Sequence, residues 1–338
     1  MDRVMASHAA EWIGGVHCGP DVRLCRPWKS DSRDIGPGDA FVALKGEKTD
    51  GHLYVHNAIE RGAKLFLVDK SRVEELMLCE PEYSGVSVIA VKDTAAALPA
   101  LACEYLKRVS PRLTGITGSV GKTTTRELTV SLLKAGKRVH SAIRSFNTVV
   151  GCSLTVLAMP EDTEILILEF GTNHFGEIRE MVSLFPPETA VITEVAPAHL
   201  EGFEDIDGVL RAKMEICESK ILDTVIYNFD NIPLRNELSY KYNNINKMGV
   251  GRCEGADLRI TDQKLSLGDR GAKLDSTYDF RGKTIGLSAD LFGLQHSYNV
   301  GYAFLTACRY GISEDAAKEA LLEFAPIAGR GICKRLPG

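Results

Sequence analysis

Short apolar runs alternate along this chain with longer segments whose apolar positions fall three and four apart. That alternation predicts an α/β protein. Ala40-Phe41-Val42-Ala43-Leu44 follows the turn Gly36-Pro37-Gly38-Asp39 and reads as a strand. Residues 58–61 read as the end of a helix that Gly62 can cap. Residues 65–68 and 86–91 read as strands. Residues 94–107 read as a helix, with Leu98, Leu101, Ala102 and Tyr105 along one stripe. Ser110-Pro111 is the expected linker into a second unit.

In that second unit, residues 113–117 read as a strand and 123–134 as a helix, with Leu128 and Leu132 four apart and Gly136 past its end. Ile165-Leu166-Ile167-Leu168 is apolar without interruption, as a strand buried on both faces of a parallel sheet requires. Residues 190–192 and 225–227 repeat that pattern. Residues 251–292 differ. There 258–261 and 285–288 alternate apolar and polar between Gly-rich turns, which predicts short antiparallel strands. Two helices are expected at the end, one over 297–310 stopped by Gly311 and one starting at the N-cap Ser313. The expected organisation is 1–108, 109–327 and a closing segment 328–338.

Composition narrows the classes. The 338 residues are 44% hydrophobic and 25% charged, enough apolar content to bury a sizeable core. A net charge of -5 gives no reason to expect nucleic acid, so a phosphate-rich ligand must be held by local dipoles and a few placed cations. No stretch is long and apolar enough to span a bilayer, and residues 1–12 lack the apolar core of a signal peptide. The nine cysteines are scattered, with no CxxC pair. This predicts reduced thiols, no structural metal and a cytoplasmic protein, expected as a monomer.

The strongest local signal is Gly115-Ile116-Thr117-Gly118-Ser119-Val120-Gly121-Lys122-Thr123-Thr124, between a predicted strand and a predicted helix. Gly118 and Gly121 allow a tight turn whose amides, Ser119 and Val120 included, point at phosphate oxygens, and the helix adds its positive end. Lys122 would reach the outer phosphates, Thr123 would bind Mg²⁺, and Thr124 continues the cradle. The spacing departs from the general Walker pattern, because Ile116 stands five residues before Gly121. An ordinary strand-turn-helix is the rival explanation.

Glu169 closes a run of four apolar residues, at the ligand side of an open sheet. His199 follows the next strand, and Lys213 lies on the helix after it, with Ile216 and Cys217 on a neighbouring face. Singly, Glu169 is equally a partner for an arginine, His199 a loop histidine and Lys213 a solvated lysine. Together they succeed one another in a phosphate-loop unit, where Glu and His supply Mg²⁺ ligands.

Several segments resemble the Mur ligase family. TGSVGKTTT (117–125) is similar to its compact phosphate loop. LEFGTNHFGEI (168–178) and APAHLEGFEDIDGVLRAKMEI (196–216) resemble the branch that adds D-alanyl-D-alanine. The stretch 30–64 resembles a UDP-sugar-binding domain, and SFNTVVGCSLTVL (145–157) a substrate loop. The resemblance implies an N-terminal UDP-binding α/β domain, a central phosphate-loop domain with a parallel sheet and a few antiparallel strands, and a third Rossmann-like domain whose motif is absent here. It implies an ATP-dependent ligase joining D-Ala-D-Ala to a UDP-N-acetylmuramoyl tripeptide, with two Mg²⁺ sites.

By that resemblance Ser32 and Arg33 contact UDP, while Asn147 and Thr148 lie in the substrate loop. Lys122 and Thr123 hold ATP and one Mg²⁺, Glu169 and His199 ligate metal, and Lys213 is carried as a carbamate. Asn299 sits by the adenine, Arg330 contacts phosphate, and His296 stands where the family has an adenine-contacting asparagine. A ligase adding the third peptide residue, a folylpolyglutamate synthetase and a non-ligating binding module remain alternatives.

Overall fold

The computed structural model describes residues 4–78, 85–142, 144–197, 203, 205–268 and 271–325. The chain divides into two compact units, 1–111 with 149–163, and 112–148 with 164–338.

The first unit holds α1 (Ala6–Trp12), β1 (Val16–Cys18), β2 (Trp28–Lys29), β3 (Ala40–Val42), α2 (Val55–Glu60), β4 (Leu65–Asp69), β5 (Ser87–Val91) and α3 (Thr94–Val109). Its sheet runs β1-β5-β4-β3-β2, parallel except for β1 against β5. Phe41, Phe66, Val68 and Val88 bury one face of it. The expected stripe of α3 is fully buried, and Asp93 caps the helix by accepting from Ala95 N at 2.8 Å.

Residues 149–163 belong to this unit, which corrects their expected place in the central segment. The attachment is polar as well as apolar. Tyr105 Oη donates to Met159 O at 2.7 Å, the Cys25 thiol reaches the same carbonyl at 3.1 Å, and Val4 N donates to Glu161 Oε1 at 3.0 Å. No local pattern in 145–157 carries those partners.

The second unit holds β6 (Arg112–Thr117), α4 (Lys122–Leu133), β7 (Val139–Ser141), β8 (Ile165–Glu169), α6 (Glu177–Leu184), β9 (Thr189–Ile192), α7 (Ile206–Met214), β10 (Thr224–Asn228), α8 (Ile232–Lys241), β11 (Asn246–Gly251), β12 (Leu258–Gly268), β13 (Gly271–Phe280), β14 (Lys283–Ala289), α9 (His296–Arg309) and α10 (Glu314–Leu322); α5 (Val149–Leu157) is the helix that joins the first unit. The resemblance of 145–157 to one continuous loop is therefore corrected at Val149, where a helix begins. Ile216 and Cys217 lie in a 3-10 turn after α7, not on its face.

Nine strands form one sheet in the order β14-β13-β12-β11-β10-β9-β6-β8-β7. From β7 to the β11–β12 pair it is parallel, and β12, β13 and β14 pair antiparallel. The antiparallel strands run 11, 10 and 7 residues, longer than the short pair expected, and β13 carried no clear signal of its own. Ile116, Ile167, Val191 and Ile226 pack under Leu128 and Leu132 of α4 and Val300 and Phe304 of α9. Gly311, at φ +81°, lies just past α9, and Ser313 Oγ caps α10 at 3.2 Å, both as expected.

Chain order reverses beside β6. β7 and β8 lie on one side of it and β9, β10 and β11 on the other. Such a switch point opens a crevice outside the carboxyl ends of the strands.

Candidate nucleotide site

The turn between β6 and α4 sits at that switch point. Gly118 has φ +144° and Gly121 φ +88°, in the left-handed half of backbone space that glycine tolerates. Space forbids other residues too. A Cβ at 118 would meet Thr193 Oγ1 at 2.0 Å, and one at 121 would meet Asn299 Oδ1 at 2.7 Å. The segment after β9 straps the turn down. Ser119 N donates to Glu194 O at 2.7 Å, Ser119 Oγ to Ala196 O at 2.8 Å, and Thr193 Oγ1 to Val120 O at 2.6 Å. Lys122 Nζ lies across the turn, donating to Gly118 O at 2.7 Å. A glycine-shaped turn, a helix start and a lysine over them make a cradle for a phosphate chain.

Glu169 ends β8, two strands' width from β9, and is 2% exposed. Thr123 Oγ1, from the first turn of α4, donates to Glu169 Oε2 at 3.1 Å and lies 3.0 Å from Ser145 Oγ. Glu169 also pairs with an arginine. Arg126 Nη1 lies 3.1 Å from Glu169 Oε1. The two readings of Glu169 are thus compatible. A hydroxyl and a carboxylate converging beside a phosphate cradle form a donor set suited to Mg²⁺, a hard cation that takes few protein oxygens and completes its shell from water and phosphate. Among the described residues no three His, Cys, Asp or Glu side chains gather as a self-sufficient metal cage.

Lys213 lies near the end of α7 and is 2% exposed, so it is not a solvated lysine. Burial and the charge of Lys122 pull its ammonium down to about 7, against the opposing pull of Glu177 and Glu215. Both carboxylates are held by the backbone around α6. Glu177 Oε2 accepts from Asn173 N at 2.7 Å, and Glu215 accepts from Gly176 N at 2.8 Å and Arg179 N at 3.0 Å. Sequence reasoning missed Glu215, whose partners lie 39 and 36 residues earlier in the chain.

Beside the turn opens a cleft of about 480 Å³, lined by Val120, Gly121, Thr124, Glu194, Asn231 and His296 among others. Glu194 accepts from Asn228 Nδ2 and Asn231 Nδ2, each at 2.6 Å, and from Val195 N at 2.9 Å. Burial alone would raise the Asp230 carboxyl. The Tyr298 hydroxyl at 2.5 Å and the amides of Arg252 and Cys253 outweigh it and hold the carboxyl below its ordinary range. His296 is held below its ordinary value by burial, and its Nδ1 accepts from Asn299 Nδ2 at 2.9 Å. Asn299 Oδ1 in turn accepts from Thr125 Oγ1 at 3.3 Å. Thr193, Glu194, Asn228, Asp230 and Asn231 were not anticipated, although each ends or follows a buried parallel strand. That position was the available signal.

The structure brings together Gly118, Ser119, Val120, Gly121, Lys122, Thr123, Thr124 and Glu169, with His296 and Asn299 on the cleft. Asn147 adjoins them in the same unit, its carbonyl accepting from Gly171 N at 2.9 Å; a Cβ at Gly171 would collide with its side chain at 2.4 Å. Thr148 follows, exposed. Ser32 and Arg33 lie in the first unit, Ser32 buried and Arg33 forked onto Asp31 at 2.6 Å. His199 and Arg330 lie outside the described residues.

Fold and site together define a phosphate-loop nucleotide-binding protein. Residues 116–307 match the Mur ligase middle domain, and residues 29–106 match the domain described as Mur ligase family, catalytic domain. The first match alone covers more than half of the sequence, and the chain belongs to the Mur ligase family.

A UDP-N-acetylmuramoyl-tripeptide--D-alanyl-D-alanine ligase from Bacillus subtilis (strain 168) is 37% identical over 227 residues, 67% of this chain and 48% of that protein. The chain thus spans about half the length of that relative. The crystal structure of MurF ligase from Thermotoga maritima in complex with ADP matches with a TM-score of 0.73 at 27% identity, over 90% of this chain and 67% of that one. A MurF crystal structure from Acinetobacter baumannii matches in fold with a TM-score of 0.77 at 24% identity, over 97% of this chain and 70% of that one.

Proposed function

We propose that this chain provides the nucleotide- and precursor-binding parts of an ATP-dependent ligase that joins D-alanyl-D-alanine to a UDP-N-acetylmuramoyl tripeptide, acting as a cytoplasmic monomer. The observation that carries the reading is the convergence of Thr123 Oγ1 and Glu169 Oε2, 3.1 Å apart, at the start of α4 beside Lys122. The names of the relatives supply the substrates, and the ADP complex of the Thermotoga protein supports a nucleotide in the cradle.

In this reading the amides of 118 and 120–124 and Lys122 hold the phosphates of ATP, the Ser119 amide being taken up by Glu194 O instead of pointing at phosphate as expected, while His296 and Asn299 face the base. Thr123 and Glu169, with His199, would hold Mg²⁺, which neutralises charge on the phosphates when bound. The terminal carboxylate of the tripeptide attacks the γ-phosphorus and ADP leaves, giving an acyl phosphate. The amine of D-Ala-D-Ala then adds to that carbonyl and expels phosphate as the amide forms. The chain contributes by fixing the reactants and opposing their charge, the larger share of phosphoryl-transfer catalysis.

Ser32 and Arg33 take the UDP end, Asn147 and Thr148 the peptide, and Arg330 the phosphate. A Lys213 amine that titrates near 7 keeps a lone pair available at neutral pH. Its nitrogen then adds to CO2 and loses a proton, and the resulting carbamate is an anion suited to the second metal.

Lys122→Ala tests the reading. MgADP binding should fall by at least about tenfold, with phosphate release dependent on tripeptide and D-Ala-D-Ala lost and the thermal melt unchanged. Binding at the wild-type level would overturn the nucleotide assignment. Precursor binding without any ligation by the wild-type chain would favour a binding module.

A further inference from the structure

Arg126 is the largest fully buried side chain in the described structure, and the ligase reading gives it no task. It lies one turn beyond Thr123 on α4, and its guanidinium is shared among three partners from separate places. Nη1 faces Glu169 Oε1 at 3.1 Å, and the same nitrogen donates to Arg144 O at 2.7 Å. Nε donates to Glu127 Oε1 at 3.1 Å, and Nη2 reaches that same oxygen. The other oxygen of Glu169 accepts from Thr123, which also meets Ser145. The two oxygens of Glu169 are therefore met differently, one by the charge of the arginine in an ion pair and the other by the hydrogen bond of the threonine. The arginine simultaneously anchors the start of the segment 144–148, which ends in Asn147 and Thr148.

We propose that Arg126 is a positioning residue. It aims Glu169 at the Mg²⁺ of a bound nucleotide and ties that carboxylate to the segment carrying Asn147. The inference rests on the nucleotide reading of the phosphate loop. Two physical effects compete. A buried cation beside a metal ligand repels the metal, so removing it would tighten Mg²⁺ binding. A buried carboxylate without its partner loses both its fixed orientation and its compensating charge, so removing the arginine would weaken Mg²⁺ binding. The geometry favours the second effect, because the arginine holds the oxygen turned away from Thr123 and leaves the Thr123-side oxygen to the metal. Ligand-orienting partners of this kind commonly govern metal affinity by about 10–100-fold.

The experiment is calorimetric titration of the chain with ADP, with and without Mg²⁺, for wild type, Arg126→Met and Arg126→Lys. Wild type should gain affinity from Mg²⁺. Arg126→Met should lose about tenfold or more of that gain while keeping its metal-free ADP affinity. Arg126→Lys keeps one charge on Glu169 but cannot also reach Arg144 O and Glu127, so it should fall between. It carries the test if the methionine variant fails to fold. An unchanged or larger Mg²⁺ gain in whichever variant folds overturns the role of Arg126 and leaves the nucleotide site standing. A wild type with no Mg²⁺ gain overturns both.

Discussion

The phosphate turn and the cleft beside it are parts of one site built in opposite ways. The turn is seven consecutive residues, 118–124, whose shape comes from two glycines and a helix start. The cleft collects Glu194, Asn228, Asp230, Asn231, His296 and Tyr298, from the ends of β9 and β10 and from α9. Local chain geometry sets the first, so it tolerates almost no substitution in its glycines. Hydrogen-bond complementarity between distant segments sets the second, so it fails by degrees.

The sharpest test of that contrast is Gly118→Ala. The added methyl meets Thr193 Oγ1 at 2.0 Å and the backbone sits at φ +144°, so the loss combines a clash with strain. We expect about 2–4 kcal/mol of stability and most of the nucleotide affinity to go, read by chemical denaturation and ADP titration. Near-normal values would mean that the turn is not shaped by its glycines.

Lys213→Met probes the buried amine behind the turn. The folded ammonium titrates near 7 and the unfolded one near 10.5. Between those values the unfolded chain holds the proton and the folded chain does not, so wild-type stability rises with pH across that window. The cost of burying the charge is fully present below about 7 and gone above about 10.5. The methionine variant should therefore gain on the order of a few kcal/mol over wild type at pH 6, fading to little at pH 10, in paired thermal melts. A pH-independent difference would remove the case for a neutral amine.

Glu194→Gln perturbs the cleft at its hub. Two carboxylate oxygens accept from two asparagine amides, and a glutamine must turn its own NH2 toward one of them. Neither asparagine can flip freely, since Asn228 Oδ1 accepts from Asp230 N and Asn231 Oδ1 caps α8 at Leu234 N. A loss of about 1–3 kcal/mol is expected, with weaker ADP binding and an intact phosphate turn. Tyr298→Phe should do least, about 1 kcal/mol, because it removes one of several donors to Asp230 and leaves the amides of Arg252 and Cys253 in place. If Tyr298→Phe proved costlier than Gly118→Ala, the division between the two regions would be wrong.

The sequence by itself determined the α/β class, the core strands of both sheets and the phosphate turn, because each is written in contiguous residues: buried apolar runs, a helical stripe, glycines ahead of a lysine. It also placed Glu169, since a carboxylate ending an apolar run has few structural reasons to be there. Only the tertiary structure decided that 149–163 belongs to the first unit, through Tyr105 and Met159, and that β12 to β14 extend the parallel sheet. Only it revealed Arg126 as the partner of Glu169, Glu215 as the anchor of α6, and the carboxylate and amide hub at Glu194. Those depend on which strands become neighbours. Strand order is set by side-chain packing across the whole sheet, so no local spacing in the chain encodes it.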